Sequence, residues 1–291
     1  MDWFYLSLLC AMSLAFADAL TKKHLTGYSG WELLLVRFVV PGTLLAPLLL
    51  IFPMPAVPMV FWGWIVLLVP LELLAMLLYM QAIRDAPLYQ TLPYLAFTPV
   101  FNIVTGWLIL GEQVTLLGGV GILLVVLGTY LLNIDQHNQQ NRAPWFEPFL
   151  AIVYQQGSRR MLAVAIIYSF TSVLSKAAML HVGPMSFAAF YFSLLAVVTL
   201  CLVGLIRPNK IATLWRRPRW HMLIGSLMAL MVVTHFLAIS MVEVAYMVAL
   251  KRSSLLFGIL LGAYMFHEPA LVKHFSAVAL MVGGVALILL A

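Results

Sequence analysis

Charged residues are scarce in this sequence. Asp, Glu, Lys and Arg together make up 9% of the 291 residues, whereas hydrophobic residues make up 64%. A typical soluble domain is about 25% charged, and a soluble fold of this size has too little interior to bury so much apolar surface. The composition therefore excludes an ordinary cytosolic enzyme, a secreted disulfide-stabilised domain and a disordered regulator, and it predicts a membrane protein.

Cysteine is also rare. Cys10 and Cys201 are the two cysteines of the sequence, both lie within apolar runs, and they lack metal-ligand spacing. The sequence has no nucleotide-hydrolysing loop and no pairing of a nucleophile with a base. We therefore expect no enzyme activity, no metal and no cofactor. The net charge of +6 comes from basic residues between apolar runs, which argues against a nucleic-acid partner.

Long apolar runs dominate the chain instead. Runs of about 20 residues have the length of a helix that crosses a hydrocarbon core of ~30 Å. Strands of a membrane barrel would alternate apolar and polar residues instead. The runs predict an all-α membrane protein with ten transmembrane helices, at approximately 3–23, 31–51, 60–83, 88–110, 114–133, 161–181, 185–206, 222–243, 245–266 and 270–290.

The two halves of the chain resemble each other. Glu112 matches Glu268, and Gly128 matches Gly284, both at an offset of 156 residues. Each half has five predicted spans, so the second copy enters the membrane in the opposite direction. This pattern predicts a 5+5 inverted repeat around a central cavity. The expected organisation is a first five-helix repeat, a polar linker and a second five-helix repeat, at 1–133, 134–160 and 161–291.

This organisation resembles a known transporter family. A tandem five-helix repeat, with Gly111-Glu112 closing the fourth helix of one half and His267-Glu268 that of the other, is similar to the EamA branch of the drug/metabolite transporter superfamily. The resemblance implies a ten-helix transporter with a central cavity. It leaves the substrate open, because the superfamily moves amino acids, cations, sugars, nucleotide sugars and phosphate esters.

The basic residues predict the orientation. Lys and Arg occur in the odd-numbered loops, most densely at Arg216, Arg217 and Arg219, whereas the even-numbered loops and both termini have none. Loops rich in Lys and Arg stay in the cytoplasm. We therefore predict a multi-pass protein of the cell (inner) membrane, with both termini outside the cytoplasm.

Three cations lie within the predicted spans of the second half, namely Lys176, Lys251 and Arg252. The rise of a helix places them at a similar depth, and no acidic residue of that half shares their layer. Buried charges without counter-ions are costly, so an anionic substrate in a wet cavity would explain them. Alternatively, Lys251 or Arg252 extends to the interface or pairs with Glu243.

Further residues extend the candidate substrate site. His235 and Tyr191 fall at the same depth, and Tyr246 lies near the start of helix nine. Packing or structural hydrogen bonding is the alternative role for each. The segments SFTSVLSKAAM and ALKRSS resemble helices six and nine of plant triose-phosphate/phosphate translocators. That resemblance implies that the three cations hold a phosphate group.

Two carboxylates of the first half are candidates for proton coupling. Asp18 lies four residues from Lys22 on helix one, where the two side chains can pair, and Arg37 is a further candidate partner. Glu72 lies near the middle of helix three with no basic residue beside it. A lone buried carboxylate can carry protons, or it can be a protonated structural residue.

Small residues seven positions apart mark helices five and ten. They are Gly121 and Gly128 in the first half, matched by Ala277 and Gly284 in the second. Seven residues make two turns, so each pair shares a helix face and permits close contact. We predict that these four residues form a scaffold that joins the two halves. The alternative is that they reflect the ordinary glycine content of membrane helices.

The predicted function is a secondary transporter that moves a small organic metabolite by alternating access, with an anion such as a phosphate ester or carboxylate as the expected substrate. Two alternatives stay open: a proton-coupled exporter of amino acids or other metabolites, and a lipid-headgroup translocase. The expected partners are the small-molecule substrate and the lipid bilayer, and the chain is expected to act as a monomer or a homodimer.

Overall fold

The computed structural model describes residues 2–85, 92–137, 156–257 and 275–291, and the regular elements in those ranges are all helical. Two short 3-10 helices cover Leu92–Phe97 and Pro208–Trp215. The α-helices are α1 Asp2–His24, α2 Gly30–Leu45, α3 Leu48–Ile51, α4 Met59–Asp85, α5 Thr98–Leu110, α6 Leu116–His137, α7 Gln156–Met179, α8 Pro184–Ile206, α9 Pro218–Ile239, α10 Val244–Lys251 and α11 Phe275–Leu289.

Six stretches of the described chain are helical, long and apolar enough to cross a membrane. They are Asp2–His24, Gly30–Ile51, Met59–Ala82, Gln156–Met179, Pro184–Ile206 and Pro218–Ile239. Shorter apolar helices cover Tyr94–Leu110, Leu116–Leu131 and Ser276–Leu289. The predicted all-α membrane fold is therefore confirmed.

The predicted number of ten spans stays a prediction. Parts of the predicted spans 88–110, 245–266 and 270–290 lie outside the described residues, as do Glu268 and most of the predicted linker at 134–160.

Local sequence signals set where several helices begin and end. The Ser29 hydroxyl accepts a hydrogen bond from the Glu32 amide, and the Glu32 carboxylate accepts one from the Ser29 amide, a capping box that fixes the start of α2. Pro184 and Pro218 open α8 and α9, where the missing N–H costs no helical hydrogen bond. Gly111 ends α5 with a φ of 69°, which glycine adopts without strain, so the chain turns sharply toward α6.

The main helix contacts join the part of the chain before residue 137 to the part after residue 156. α1 packs on α9, α4 on α7, α2 on α8, α5 on α10 and α6 on α11. His24 at the end of α1 stacks on Trp220 near the start of α9, with ring centroids 3.4 Å apart. α1 and α9 are therefore antiparallel, and the α9–α10 turn lies at the opposite end of the molecule from His24.

The contact between α6 and α11 depends on small residues. A Cβ atom on Gly121 would lie 2.7 Å from the Gly284 carbonyl oxygen, and one on Gly128 would lie 2.7 Å from the Ala277 carbonyl oxygen. Distances this short are repulsive, so the two backbones can approach only where a side chain is absent. The four small residues singled out in the sequence thus lie at this antiparallel contact.

Gly284→Leu is expected to lower the free energy of unfolding by about 1–3 kcal/mol, because an overpacked side chain displaces its neighbours. A Cβ atom on Gly284 would lie 2.5 Å from the Gly121 carbonyl oxygen, whereas one on Gly283 would meet no atom within 4 Å. Gly283→Leu is therefore the matched control, with the melting temperature in detergent as the measurement. Equal melting temperatures for the two variants would contradict the packing described.

Candidate functional site

A group of polar side chains lies deep among the apolar helices. We call it the central cluster, and its members are Glu72, Tyr79, Tyr168, His235, Lys251 and Arg252. Each keeps part of its surface accessible, although the neighbouring helices enclose the cluster. Polar side chains grouped among apolar helices are candidates for a substrate site, because a ligand pocket is lined mostly by apolar residues with a few polar groups.

The two cations of the cluster lie where helix nine of the prediction is interrupted. α10 ends at Lys251, Arg252 and Ser253 form a turn, and residues 254–257 are helical again. In the turn, the amides of Arg252 and Ser253 donate to carbonyl groups three residues earlier, at 3.1 and 3.0 Å. The end of a helix favours positive charge, and interrupted helices are typical of transporter binding sites.

Neither cation has an ion pair within the part of the chain that the structure describes. Lys251 interacts electrostatically with Glu72 and His235 without contacting a carboxylate directly. Arg252 lies near the phenol groups of Tyr79 and Tyr168, and its Nε atom has no hydrogen-bond partner among the described residues. Enclosed positive charge without a counter-ion is unfavourable, so this place suits a bound anionic group.

Glu72 brings a carboxyl group to the same cluster. It lies near the middle of α4, two residues after Pro70, and its neighbours are the Thr171 hydroxyl on α7 and the Lys251 ammonium group. Among the described residues, no Lys or Arg forms an ion pair with Glu72, and Lys251 interacts with it electrostatically at longer range. Lys251 belongs to a helix that is distant in the sequence, so spacing along α4 cannot indicate this interaction.

Lys176 lies outside the central cluster. Its ammonium group forms a 2.5 Å ion pair with Oε1 of Glu112 and donates a 2.7 Å hydrogen bond to the Val242 carbonyl. Oε2 of Glu112 accepts a 2.9 Å hydrogen bond from the Val244 amide. We call Glu112, Lys176, Val242 and Val244 the Glu112 junction, which ties the ends of α5 and α7 to the α9–α10 turn.

The expectation that Lys176 has no acidic partner is wrong. The expectation was based on the acidic residues of the second half alone, whereas Glu112 belongs to the first half. Because α7 ends at Met179, Lys176 lies in its last turn, at the end of the helix bundle. That Lys176 binds the substrate stays a prediction. In the structure its ammonium group already has a counter-ion, the Glu112 carboxylate.

The three aromatic candidates have different surroundings. The Tyr246 hydroxyl accepts a 3.0 Å hydrogen bond from the Thr115 amide, which ties α10 to the start of α6. Tyr191 is 2% exposed and stacks on Phe187, with ring centroids 5.4 Å apart. His235 remains in the central cluster beside Lys251. Tyr191 also interacts electrostatically with Glu72 and Tyr168 of the cluster, whereas Tyr246 lies at the contact between α6 and α10.

Asp18 forms an ion pair with Arg37. Nη2 of Arg37 lies 2.5 Å from Oδ1 of Asp18 and donates a 3.1 Å hydrogen bond to the Thr21 hydroxyl. The Arg37 side chain is 5% exposed, so Asp18 provides the counter-ion for an enclosed cation. A proton-coupling role for Asp18 stays a prediction, and it would require this pair to separate.

A second set of contacts between distant parts of the chain lies at the other end of the bundle. The buried Glu32 carboxylate accepts a 2.8 Å hydrogen bond from Thr213 and forms ion pairs with Lys210 and Arg216, at 3.3 and 3.4 Å. We call Ser29, Glu32, Lys210, Thr213 and Arg216 the Glu32 junction. The length of α9, about 33 Å for its 22 residues, separates it from the Glu112 junction.

The sequence interpretation missed Tyr79, Tyr168 and the pairing role of Glu112. Tyr79 follows Glu72 by seven residues, two turns along the same face of α4, and that spacing is a signal that could have identified it. Tyr168 carries no comparable signal, because its charged neighbours lie on other helices. The sequence indicated Glu112 because a Glu also occurs at the matching position of the second half. That match gives no information about the residue with which Glu112 pairs.

Comparisons with known proteins bear on family and fold. The sequence model of the EamA-like transporter family matches residues 1–134 and 159–290. The probable 4-amino-4-deoxy-L-arabinose-phosphoundecaprenol flippase subunit ArnE of Enterobacter sp. (strain 638) is 34% identical over 71 residues, which are 24% of this chain and 66% of that protein, just under two thirds of its length. A crystal structure matches with a TM-score of 0.72 and 19% identity, over 99% of this chain and 96% of its own. At that identity the likeness concerns the fold alone.

Proposed function

The chain belongs to the EamA-like transporter family, and we propose that it is a secondary transporter of the inner membrane that moves a small organic anion by alternating access. The predicted family and the class of multi-pass membrane transporter are confirmed, whereas the local resemblance to triose-phosphate/phosphate translocators stays a prediction. The observation that carries the substrate proposal is the pair Lys251 and Arg252, enclosed by the bundle and without an ion pair among the described residues.

The pattern of helix contacts supports a 5+5 inverted repeat of ten helices. In such a repeat, α1 of the first half corresponds to α7 of the second, and α4 corresponds to α9. The symmetry therefore relates the α1–α9 contact to the α7–α4 contact. Both contacts occur in the structure. Three further contacts, α2–α8, α5–α10 and α6–α11, join helices that correspond to each other, and the α5–α7 contact has its image in the α10–α1 contact. A pseudo-two-fold axis in the membrane plane produces this pattern, and movement of one bundle against the other would give alternating access.

The two cations differ in what they offer an anion. The planar guanidinium group of Arg252 suits the paired oxygens of a phosphate or carboxylate, whereas Lys251 acts as a compact charge beside it. The phenol groups of Tyr79 and Tyr168 lie near Arg252 and supply hydroxyl donors for the same ligand. His235 adds a further polar wall next to Lys251.

A lipid-headgroup translocase is the second candidate function, and the similarity to the ArnE protein favours it. That protein is described as a subunit of a flippase for 4-amino-4-deoxy-L-arabinose-phosphoundecaprenol, a lipid with a phosphate group. The same cations would suit a lipid phosphate. Comparing undecaprenyl phosphate with a short-chain alkyl phosphate distinguishes the two candidates, because the lipid alone would bind if the headgroup must enter from the bilayer.

Arg252→Lys is expected to weaken the binding of glycerol 3-phosphate and succinate about tenfold or more, because the charge remains but the planar fork is lost. Arg252→Gln is expected to weaken it further. The measurement is the ligand-induced rise of the melting temperature of purified protein, followed by uptake into proteoliposomes. Arg219→Gln, an exposed position at the start of α9, is the matched control. Full uptake by Arg252→Gln would rule out this anion site.

A further inference from the structure

The segment that joins α8 to α9 is basic and has no acidic residue of its own. Residues 207–217, which we call the interfacial segment, contain Arg207, Lys210, Arg216 and Arg217 and neither Asp nor Glu. Among the described residues, the carboxylate that pairs with the segment is that of Glu32, which contacts Lys210 and Arg216. The segment and this single partner therefore carry a net charge of +3.

Inward-facing side chains hold the interfacial segment against the end of the bundle. Thr213, in the 3-10 helix Pro208–Trp215, donates a 2.8 Å hydrogen bond to the buried Glu32 carboxylate. Ile211 and Leu214 of the same 3-10 helix pack against the hydrophobic core. Because one face is fixed in this way, the other side chains of the segment form a defined outer surface.

That outer surface combines an indole ring with guanidinium groups. Trp215 is 82% exposed, Arg207 and Arg217 are exposed, and Arg216 keeps most of its side chain accessible. Leu205, two residues before the segment at the end of α8, is 85% exposed. Exposed apolar residues of a membrane span face lipid, and Trp favours the headgroup layer. The outer surface is therefore expected to lie at the level of the headgroups.

The arginines of this surface have hydrogen-bond donors left for a ligand. Arg207 forms no ion pair within the described part of the chain, and Arg217 donates to the His24 carbonyl rather than to a carboxylate. Guanidinium groups suit the oxygens of a phosphate. A basic loop surrounded by water would explain the charge, but it would not explain an exposed indole ring among the cations.

We propose that the interfacial segment is a binding surface for anionic phospholipid, with Trp215 in the headgroup layer and the lipid phosphates on Arg207, Arg216 and Arg217. The surface lies at the end of the bundle, so it is distinct from the central cluster. The predicted orientation places it at the cytoplasmic leaflet, where anionic lipids concentrate. The bound lipid is thus a partner of the folded protein and not its cargo, and it is expected to stabilise the native state.

The experiment titrates purified protein in detergent with two lipids that have the same acyl chains, dioleoyl phosphatidylglycerol and dioleoyl phosphatidylcholine. Native mass spectrometry measures the affinity for each lipid, and the melting temperature is measured in parallel. We expect the wild-type protein to bind the anionic lipid about tenfold tighter or more, since each basic residue at a charged membrane surface contributes about fivefold. Arg207→Gln should weaken the binding of phosphatidylglycerol about fivefold, Arg207→Gln with Arg217→Gln should weaken it further, and phosphatidylcholine should bind as before.

Arg159→Gln is the matched control. It removes one exposed cation from the start of α7, at the same end of the bundle but outside the interfacial segment, and it should leave the lipid preference unchanged. Equal weakening by Arg159→Gln and Arg207→Gln would overturn the proposal, because general attraction to positive charge would then explain the binding. Equal affinity of the wild-type protein for the two lipids would also overturn it. If the double variant does not fold, Arg207→Gln alone decides.

Two further variants test the indole ring and the location. Trp215→Ala should weaken the binding of both lipids, because the ring contacts the headgroup layer whatever its charge, and unchanged affinities would overturn the placement of Trp215. Arg252→Gln should keep the preference for phosphatidylglycerol. Loss of that preference would place the lipid at the central cluster, as a ligand of the transport site, and would overturn a separate lipid surface.

Discussion

Lys176→Ala is expected to lower the free energy of unfolding by about 3 kcal/mol, because it leaves an enclosed carboxylate without its counter-ion. The side chains of Lys176 and Glu112 are 17% and 12% exposed, so solvent screens the pair little. The variant also removes the hydrogen bond to the Val242 carbonyl. The measurement is the melting temperature of the purified protein in detergent, together with ligand binding at a temperature where both proteins are folded.

The double variant Glu112→Gln with Lys176→Met is the critical comparison. It removes both charges, so it is expected to be more stable than Lys176→Ala, since no unpaired charge remains. Lys23→Ala, at an exposed basic position in the last turn of α1, is the matched control and is expected to melt as the wild type does. If Lys176→Ala instead keeps its stability and loses anion binding, Lys176 belongs to the substrate site, as the sequence suggested.

The membrane fold could be predicted from the sequence because each helix is encoded locally. A run of apolar residues with the length of a span needs no information about its neighbours, and α1, α4, α8 and α9 lie close to their predicted spans. The small residues of helices five and ten could also be identified, because a spacing of seven places them on one face whatever that face contacts.

The partners of the charged residues could not be predicted in the same way. The Glu112–Lys176 and Glu72–Lys251 neighbours lie on different helices and in different halves of the chain. Helical rise gives the depth of a side chain but not the direction in which it points around the helix axis. The three cations were therefore placed in one layer, although Lys176 points to Glu112 at the end of the bundle and Arg252 points to the tyrosines.

Glu32→Ala is expected to cost about 3 kcal/mol of unfolding free energy, because loss of the capping box costs ~1 kcal/mol and an unsatisfied buried Thr213 hydroxyl costs ~1–3 kcal/mol. Glu32 is buried, as is Thr213. Lys210 and Arg216 are more exposed, so their ion pairs add little. Glu32→Gln keeps a side-chain oxygen that can accept hydrogen bonds from Ser29 and Thr213. It is therefore the matched control, with a smaller expected loss of unfolding free energy.

The Glu32 junction also tests alternating access, because it and the Glu112 junction hold opposite ends of the bundle. If each junction keeps its end closed, Glu32→Ala should open a route to the central cluster from the end near the 3-10 helix Pro208–Trp215, and Lys176→Ala should open one from the other end. Cys10 is a native reporter, since it is buried beside Lys251. With the exposed Cys201 replaced by Ser, a membrane-impermeant thiol reagent should label Cys10 from opposite sides of the membrane in the two variants, as measured in right-side-out and inverted vesicles. Labelling of both variants from the same side would contradict closure of separate ends by the two junctions, and Glu32 would then be a residue that stabilises the fold alone.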